Sequence, residues 1–176
     1  MTGCLKVSQG CRHCYAERMA SRLQAMGSKR YENAFQPTLH YGLINLPLRW
    51  KKPRIVFVNS MSDLFQEDVP EDFIRAVFAT MEACPSGSAT SDRGSRGRQN
   101  IWMGVSGEDE RVMHRITDLA AVPARVRFLS CEPLIGPRDN IPLADVHLGD
   151  RGGRIRSRCP PDAKRMGIFH TPAMRP

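Results

Sequence analysis

A chain of 176 residues, 41% of them hydrophobic, with a mean hydropathy of −0.39, is long enough for one domain with its own core and too polar for a membrane protein. No stretch approaches the roughly 20 apolar residues of a membrane span and no basic-then-apolar leader precedes the cysteines, which predicts a cytoplasmic protein with reduced thiols. The formal net charge is +8, but residues 84–100 and 145–176 supply six of those charges, so the excess belongs to two segments and does not of itself argue a nucleic-acid partner.

The chain opens on Cys4, Cys11 and Cys14, half of its six cysteines within the first fourteen residues. A two-residue spacer lets both sulfurs of a turn converge on one soft metal or iron–sulfur centre. Three thiolates are one short of a closed site, and an open position is what a reactive centre needs. The residues alone also allow a zinc completed by His13 or His40, or no metal.

Tyr15, Met19, Leu23 and Met26 then recur at spacings of four, four and three before Gly27, which predicts a helix over 15–26 with that stripe, Met19 and Met26 included, packed inward. In the loop that follows, Leu43, Leu46, Leu48 and Trp50 are expected to pack. Residues 54–59 read as a strand buried on both faces, running into the polar cluster Asn59-Ser-Met-Ser-Asp63. A second helix is expected over 70–84 with Phe73, Val77 and Met81 on one face. Residues 101–105 form the next strand, Ser106 and Asp109 a capping box for a helix carrying Val112, Met113, Ile116 and Leu119, and residues 125–129 a third strand ending in Ser130-Cys-Glu132. Strand and helix alternate, so the fold class is α/β, a parallel sheet or barrel. The cysteine loop, Asn59–Asp63, Ser106–Glu108 and Ser130–Glu132 are expected to gather where the strands' carboxyl ends meet. Residues 1–145 form that unit, with an irregular insert over 85–99 and a disordered Arg-, Gly- and Pro-rich tail over 146–176.

The motifs Thr2-Gly-Cys4, Gly10-Cys11, Cys14-Tyr-Ala-Glu-Arg18, Pro47-Leu-Arg-Trp50, Phe57-Val-Asn-Ser-Met-Ser-Asp-Leu-Phe65 and Phe128-Leu-Ser-Cys-Glu-Pro-Leu134 closely resemble the three-Cys-motif phage proteins of the DUF5131, or phage Gp37–Gp68-like, family. The resemblance covers about residues 2–83 and 101–143. It implies a divergent relative of the radical S-adenosylmethionine (AdoMet) enzymes, with an incomplete (β/α) barrel whose Cys4, Cys11 and Cys14 hold a [4Fe–4S] cluster and leave one iron for AdoMet. On that basis His13, Asn59, Ser60, Ser62, Asp63, Ser106, Ser130 and Glu132 are expected to line the cofactor pocket, with Asp63 and Glu132 as candidate catalytic carboxylates. The substrate is unread, and a three-Cys-motif partner protein is a further expectation. From the residues, Asp63 is equally an Asx turn closing its strand and Glu108 a first-turn helix acid. Cys84, Cys131 and Cys159 read as ordinary thiols.

The cysteine spacing departs from the usual three-then-two pattern of radical-AdoMet enzymes, and their Gly-Gly-Glu-like turn is absent. Against its own family the chain departs at its start, over 85–99 and from 146, which suggests a truncated and frame-disrupted copy. The alternatives are therefore a zinc-bearing, non-catalytic, nucleic-acid-associated phage module, or an inactive degraded copy.

Overall fold

The structure is a computed structural model that describes residues 1–52, 56–84, 101–124, 126–131, 135–136, 146, 148–151, 154–157 and 166–170. Among the described residues, three helices, α1 (Tyr15–Ala25), α2 (Glu71–Ala83) and α3 (His114–Ala121), accompany six strands: β1 (Val56–Val58), β2 (Ile101–Ser106), β3 (Val126–Ser130), β4 (Leu148–Arg151), β5 (Arg154–Ser157) and β6 (Met166–His170). They form one sheet in the order β1-β6-β2-β3-β4-β5, parallel except for the β4–β5 pair. The α/β class read from the sequence is thus the observed one.

β2 and β3 are where the sequence reading is closest. Both are short and mostly apolar, Ile-Trp-Met-Gly-Val-Ser and Val-Arg-Phe-Leu-Ser, and buried or half-buried along their length, as parallel strands covered on both faces are. Trp102 aligns with Val126 and Ser106 with Ser130, so the two strands end level. The main core, with Met81, Ile101, Met103, Val105, Ile116, Leu119 and Leu129 fully buried, lies around them. A second cluster of Leu64, Val69 and Phe73 seats α2. The start of α2 is set by Pro70, whose extended backbone leads into Glu71 and Asp72 at the positive end of the helix. Arg75 pairs with Glu71 one turn back at 2.5 Å.

Several expectations change. β1 is described over Val56–Val58, residues 54 and 55 of the expected strand lying outside the described residues, and it is an edge strand of the sheet with Phe57 exposed, not a strand covered on both faces. α1 buries Ala16 and Ala20, whereas Tyr15, Met19 and Met26 are 57%, 42% and 80% exposed. Leu43, Leu46 and Leu48 are also exposed. Asp109 is itself a cap: its Oδ1 accepts from the Arg111 amide at 3.0 Å at the head of a 3-10 turn, Glu110–Val112, leading into α3. Ser106 is instead the last residue of β2. Within the tail expected to be disordered from 146, the described residues include β4, β5 and β6, joined to the sheet by main-chain pairing, and the rest of that tail lies outside the described residues. β6, last in sequence, lies between β1 and β2, so that Met166 is in register with both Val56 and Ile101. The insert over 85–99 lies outside the described residues.

Candidate functional site

The first fourteen residues are pinned at both ends. Gly3 bridges to Ser62, and its amide donates to the Met61 carbonyl at 3.0 Å. The Cys4 amide donates to the Phe35 carbonyl at 3.3 Å and the Leu5 amide to Oε1 of buried Gln66 at 3.1 Å. Gly3 has φ +79° and lies so close to the Gln36 carbonyl that no side chain would fit. These contacts hold Cys4 against the segment that follows β1.

The second anchor is Glu108, which is 4% exposed and lies just beyond β2. Its Oε1 accepts from the Ser8 hydroxyl at 2.7 Å and its Oε2 from the Gly10 amide at 2.9 Å. A Cβ at residue 10 would collide with this carboxylate, so glycine is what allows the approach. The Ser8 hydroxyl is in turn 3.4 Å from the Cys11 sulfur. Behind Glu108 stands Arg115 of α3, 2% exposed, with Nη1 3.7 Å from the carboxylate and donating to the Ser106 carbonyl at 3.2 Å. Burial lowers the Arg115 pKa, while Glu108, Cys11 and Asp63 pull it upward. Alongside, Arg111 bonds both Asp109 and the side chain of Gln9. Two adjacent carboxylates beyond β2 therefore hold consecutive residues of the cysteine loop, one directly and one through arginine.

The three thiols are half-buried and free. Burial, reinforced by the charges of Asp63, Cys11 and Cys14, pushes the Cys4 thiol up to about 12. Such repulsion is what a cation placed among the sulfurs would relieve, and deprotonation of thiols on metal binding follows from it. The donor set therefore fits a thiophilic centre in its chemistry. Among the described residues, no three His, Cys, Asp or Glu side chains are gathered as a finished metal cage.

The remaining candidates distribute as follows. Asp63, buried, accepts from the Phe65 amide at 3.0 Å and so forms an Asx turn, which lies beyond the end of β1 at Val58 and does not close the strand itself. Asn59 has φ +67° and accepts from the Ser62 hydroxyl at 3.3 Å, while its Nδ2 is buried and without a hydrogen-bond partner among the described residues. Gln66 Nε2 and Arg115 Nε are likewise buried and unbonded. The Ser60 carbonyl accepts from the Tyr15 hydroxyl. Ser106 and Ser130 end β2 and β3 in register, and the Gly107 amide donates to the Ser130 carbonyl at 2.8 Å. His13 is exposed at the end of the 3-10 turn Gly10–His13. His40 is 3.0 Å from the Thr2 hydroxyl. Glu132 and Cys159 lie outside the described residues.

A family model described as "Protein of unknown function (DUF5131)" matches residues 1–162. The chain belongs to the DUF5131 family. That match runs through residues 85–99 and beyond 145, across the segments that depart most from the motifs. No curated protein and no solved structure matches this DUF5131 chain. No helix among its described residues is long and apolar enough to cross a membrane.

The sequence reading missed Arg115 and assigned Glu108 to a helix turn. A signal for the first was present: Arg115 stands three residues after Val112 and four before Leu119, a charge on the apolar stripe of a helix. Its partner has no local signal, because Glu108 and Ser8 are 100 residues apart.

A cavity of about 140 Å3 opens beside β1, lined mainly by apolar groups such as Val58, Leu64, Phe73 and Met81, with Asn59 and His40 among its few polar residues. It offers far less polar chemistry than the cysteine loop.

Proposed function

We propose that this DUF5131 protein is an iron–sulfur enzyme of the radical-AdoMet type, built on a partial (β/α) barrel, in which Cys4, Cys11 and Cys14 hold a [4Fe–4S] cluster. The observation that carries this reading is the mounting of the three thiols: one loop, braced at Cys4 by the segment after β1 and at Cys11 by Ser8 and Glu108, brings three sulfurs within electrostatic reach of one another. When bound, such a cluster supplies an electron to AdoMet at the iron that lacks a cysteine.

The chain's own residues then have separate tasks. Glu108 orients the loop through the Ser8 hydroxyl and the Gly10 amide, and Arg115 balances its charge in the interior. The unbonded amide donors of Asn59 and Gln66 are available to accepting atoms of a nucleoside ligand, as are the hydroxyls of Ser60, Ser106 and Ser130, while Ser62, whose hydroxyl donates to Asn59, is proposed to hold that side chain in place. Asp63 and Glu132 are the carboxylates proposed to orient that ligand, and His13 the side chain proposed to lie beside it.

Anaerobic reconstitution with iron and sulfide tests the reading. Wild-type protein is expected to take up about four irons per chain and absorb near ~400 nm, and a Cys11→Ala variant to lose both. One colourless zinc per chain, or iron uptake unaffected by Cys11→Ala, overturns it.

A further inference from the structure

The net charge of this chain is less evenly placed than its total suggests. Residues 1–52 hold nine Lys and Arg against Glu17 and Glu32, whereas residues 56–84 hold six acids against Arg75. The basic excess therefore includes the cysteine loop and α1, which averaging over the folded part of the chain conceals.

The side of α1 turned away from its buried alanines carries a specific mixture. At about 100° per residue, Arg18, Arg22, Tyr15, Met26 and Met19 fall within roughly one third of the helix circumference, and all five are exposed. No acid shares that arc. Glu17 lies on another side and pairs with Lys6 at 2.9 Å. Arg12 just before Cys14 and Lys29 and Arg30 just after the helix are exposed too, so cations continue past both ends. Among the described residues, Arg12, Arg18 and Arg22 have no ion-pair partner. The Tyr15 ring is 57% exposed yet tethered through its hydroxyl to the Ser60 carbonyl, which leaves a fixed aromatic surface beside Cys14.

We propose that this face of α1 is a docking surface for single-stranded nucleic acid, with Arg18 and Arg22 on phosphates and a base stacked on Tyr15. A row of cations interleaved with an exposed ring is the chemistry that holds a single strand without reading its sequence. A membrane surface fits less well, because one short helix with two methionines and a tyrosine has too little apolar face to bury in lipid. A protein partner fits less well too, since the centres of such interfaces are depleted of charge and Arg22 stands in the middle of this arc. The surface adjoins the proposed cluster site but does not depend on the cluster, so its test needs no metal.

The experiment is fluorescence anisotropy of the full chain with labelled DNA and RNA single strands of about 15 nucleotides, across a salt series. Binding to either polymer is expected to weaken linearly in log salt. An Arg18→Ala/Arg22→Ala variant should bind at least ten-fold more weakly, with a salt slope lower by about 1.4, the value for two lost phosphate contacts at ~0.7 each. Tyr15→Ala should weaken binding about ten-fold with the slope unchanged. Thermal melts of the variants check that they fold. Absence of salt-dependent binding by the wild-type chain overturns the proposal. So does unchanged affinity and slope in the double variant, which would move the contact to other basic segments. Preference for anionic vesicles over both oligonucleotides overturns it as well. Failure of iron reconstitution leaves this outcome untouched, which separates the two readings.

Discussion

α1 and α2 carry the same kind of pattern and use it in opposite ways. In α2, Phe73, Val77 and Met81 recur at spacings of four and face the core, with Phe73 and Met81 fully buried. In α1, Tyr15, Met19 and Leu23 also recur at spacings of four, yet Tyr15 and Met19 are exposed, as is Met26 just past the helix end, and Leu23 is only half-buried, while Ala16 and Ala20 face in. Periodicity shows that a helix has sides and leaves open which side is turned inward. Two small residues let α1 lie close to the body, and its approach is fixed by polar contacts at its leading loop more than by its larger apolar side chains. One helix is held by its face, the other by its entry.

That contrast can be broken from either end. Phe73→Ala should cost about 3–5 kcal/mol in chemical denaturation, because the ring is fully buried and also meets Tyr41 edge-on at 5.0 Å. Glu108→Ala should cost a similar ~3–5 kcal/mol by a different route, since Arg115 would stay buried without its carboxylate and the Ser8 hydroxyl and Gly10 amide would lose their acceptor. In that variant, alkylation of Cys11 should accelerate, measured site by site by mass spectrometry, and Glu108→Gln should recover part of both effects. Ala20→Leu tests the inward side of α1, where a larger side chain has no room, and about 1–3 kcal/mol should be lost.

The last expected effect is absent near neutral pH and appears only in alkaline solution. Burial and neighbouring charge raise the Cys4 thiol from an ordinary value of 9.0 to about 12 in the folded chain. The folded state therefore keeps a proton that the unfolded state releases. Stability from this group is complete below about 9 and is lost as pH rises towards 12. Melting temperatures of the metal-free protein should fall over that window, and Cys4→Ser should flatten the decline.

Much of the framework was legible because it is written locally. β2 and β3 are short apolar runs bounded by polar residues, and α2 has its proline, acids and stripe in sequence. The cysteines announced themselves by spacing. What escaped was written at long range. Nothing near Gly10 says that the vacancy at its Cβ is filled by a carboxylate from beyond β2, and Ala16 and Ala20 are too small to register as a face. The strands at 148–151, 154–157 and 166–170 escaped for another reason: they are runs of four or five residues set among arginines, glycines and prolines, and the main-chain pairing reveals them. A charge total likewise hid a basic first third beside an acidic second.

The position of β6 bears on how the molecule is made. β1 leaves the ribosome well before its partner in the sheet, which also separates it from β2 and is encoded more than a hundred residues later, Val56 waiting for Met166. The sheet therefore cannot assemble progressively behind the growing end of the chain. Its first edge stays unpaired until residues 166–170 have been made, and that delay falls on the strand whose continuation braces Cys4.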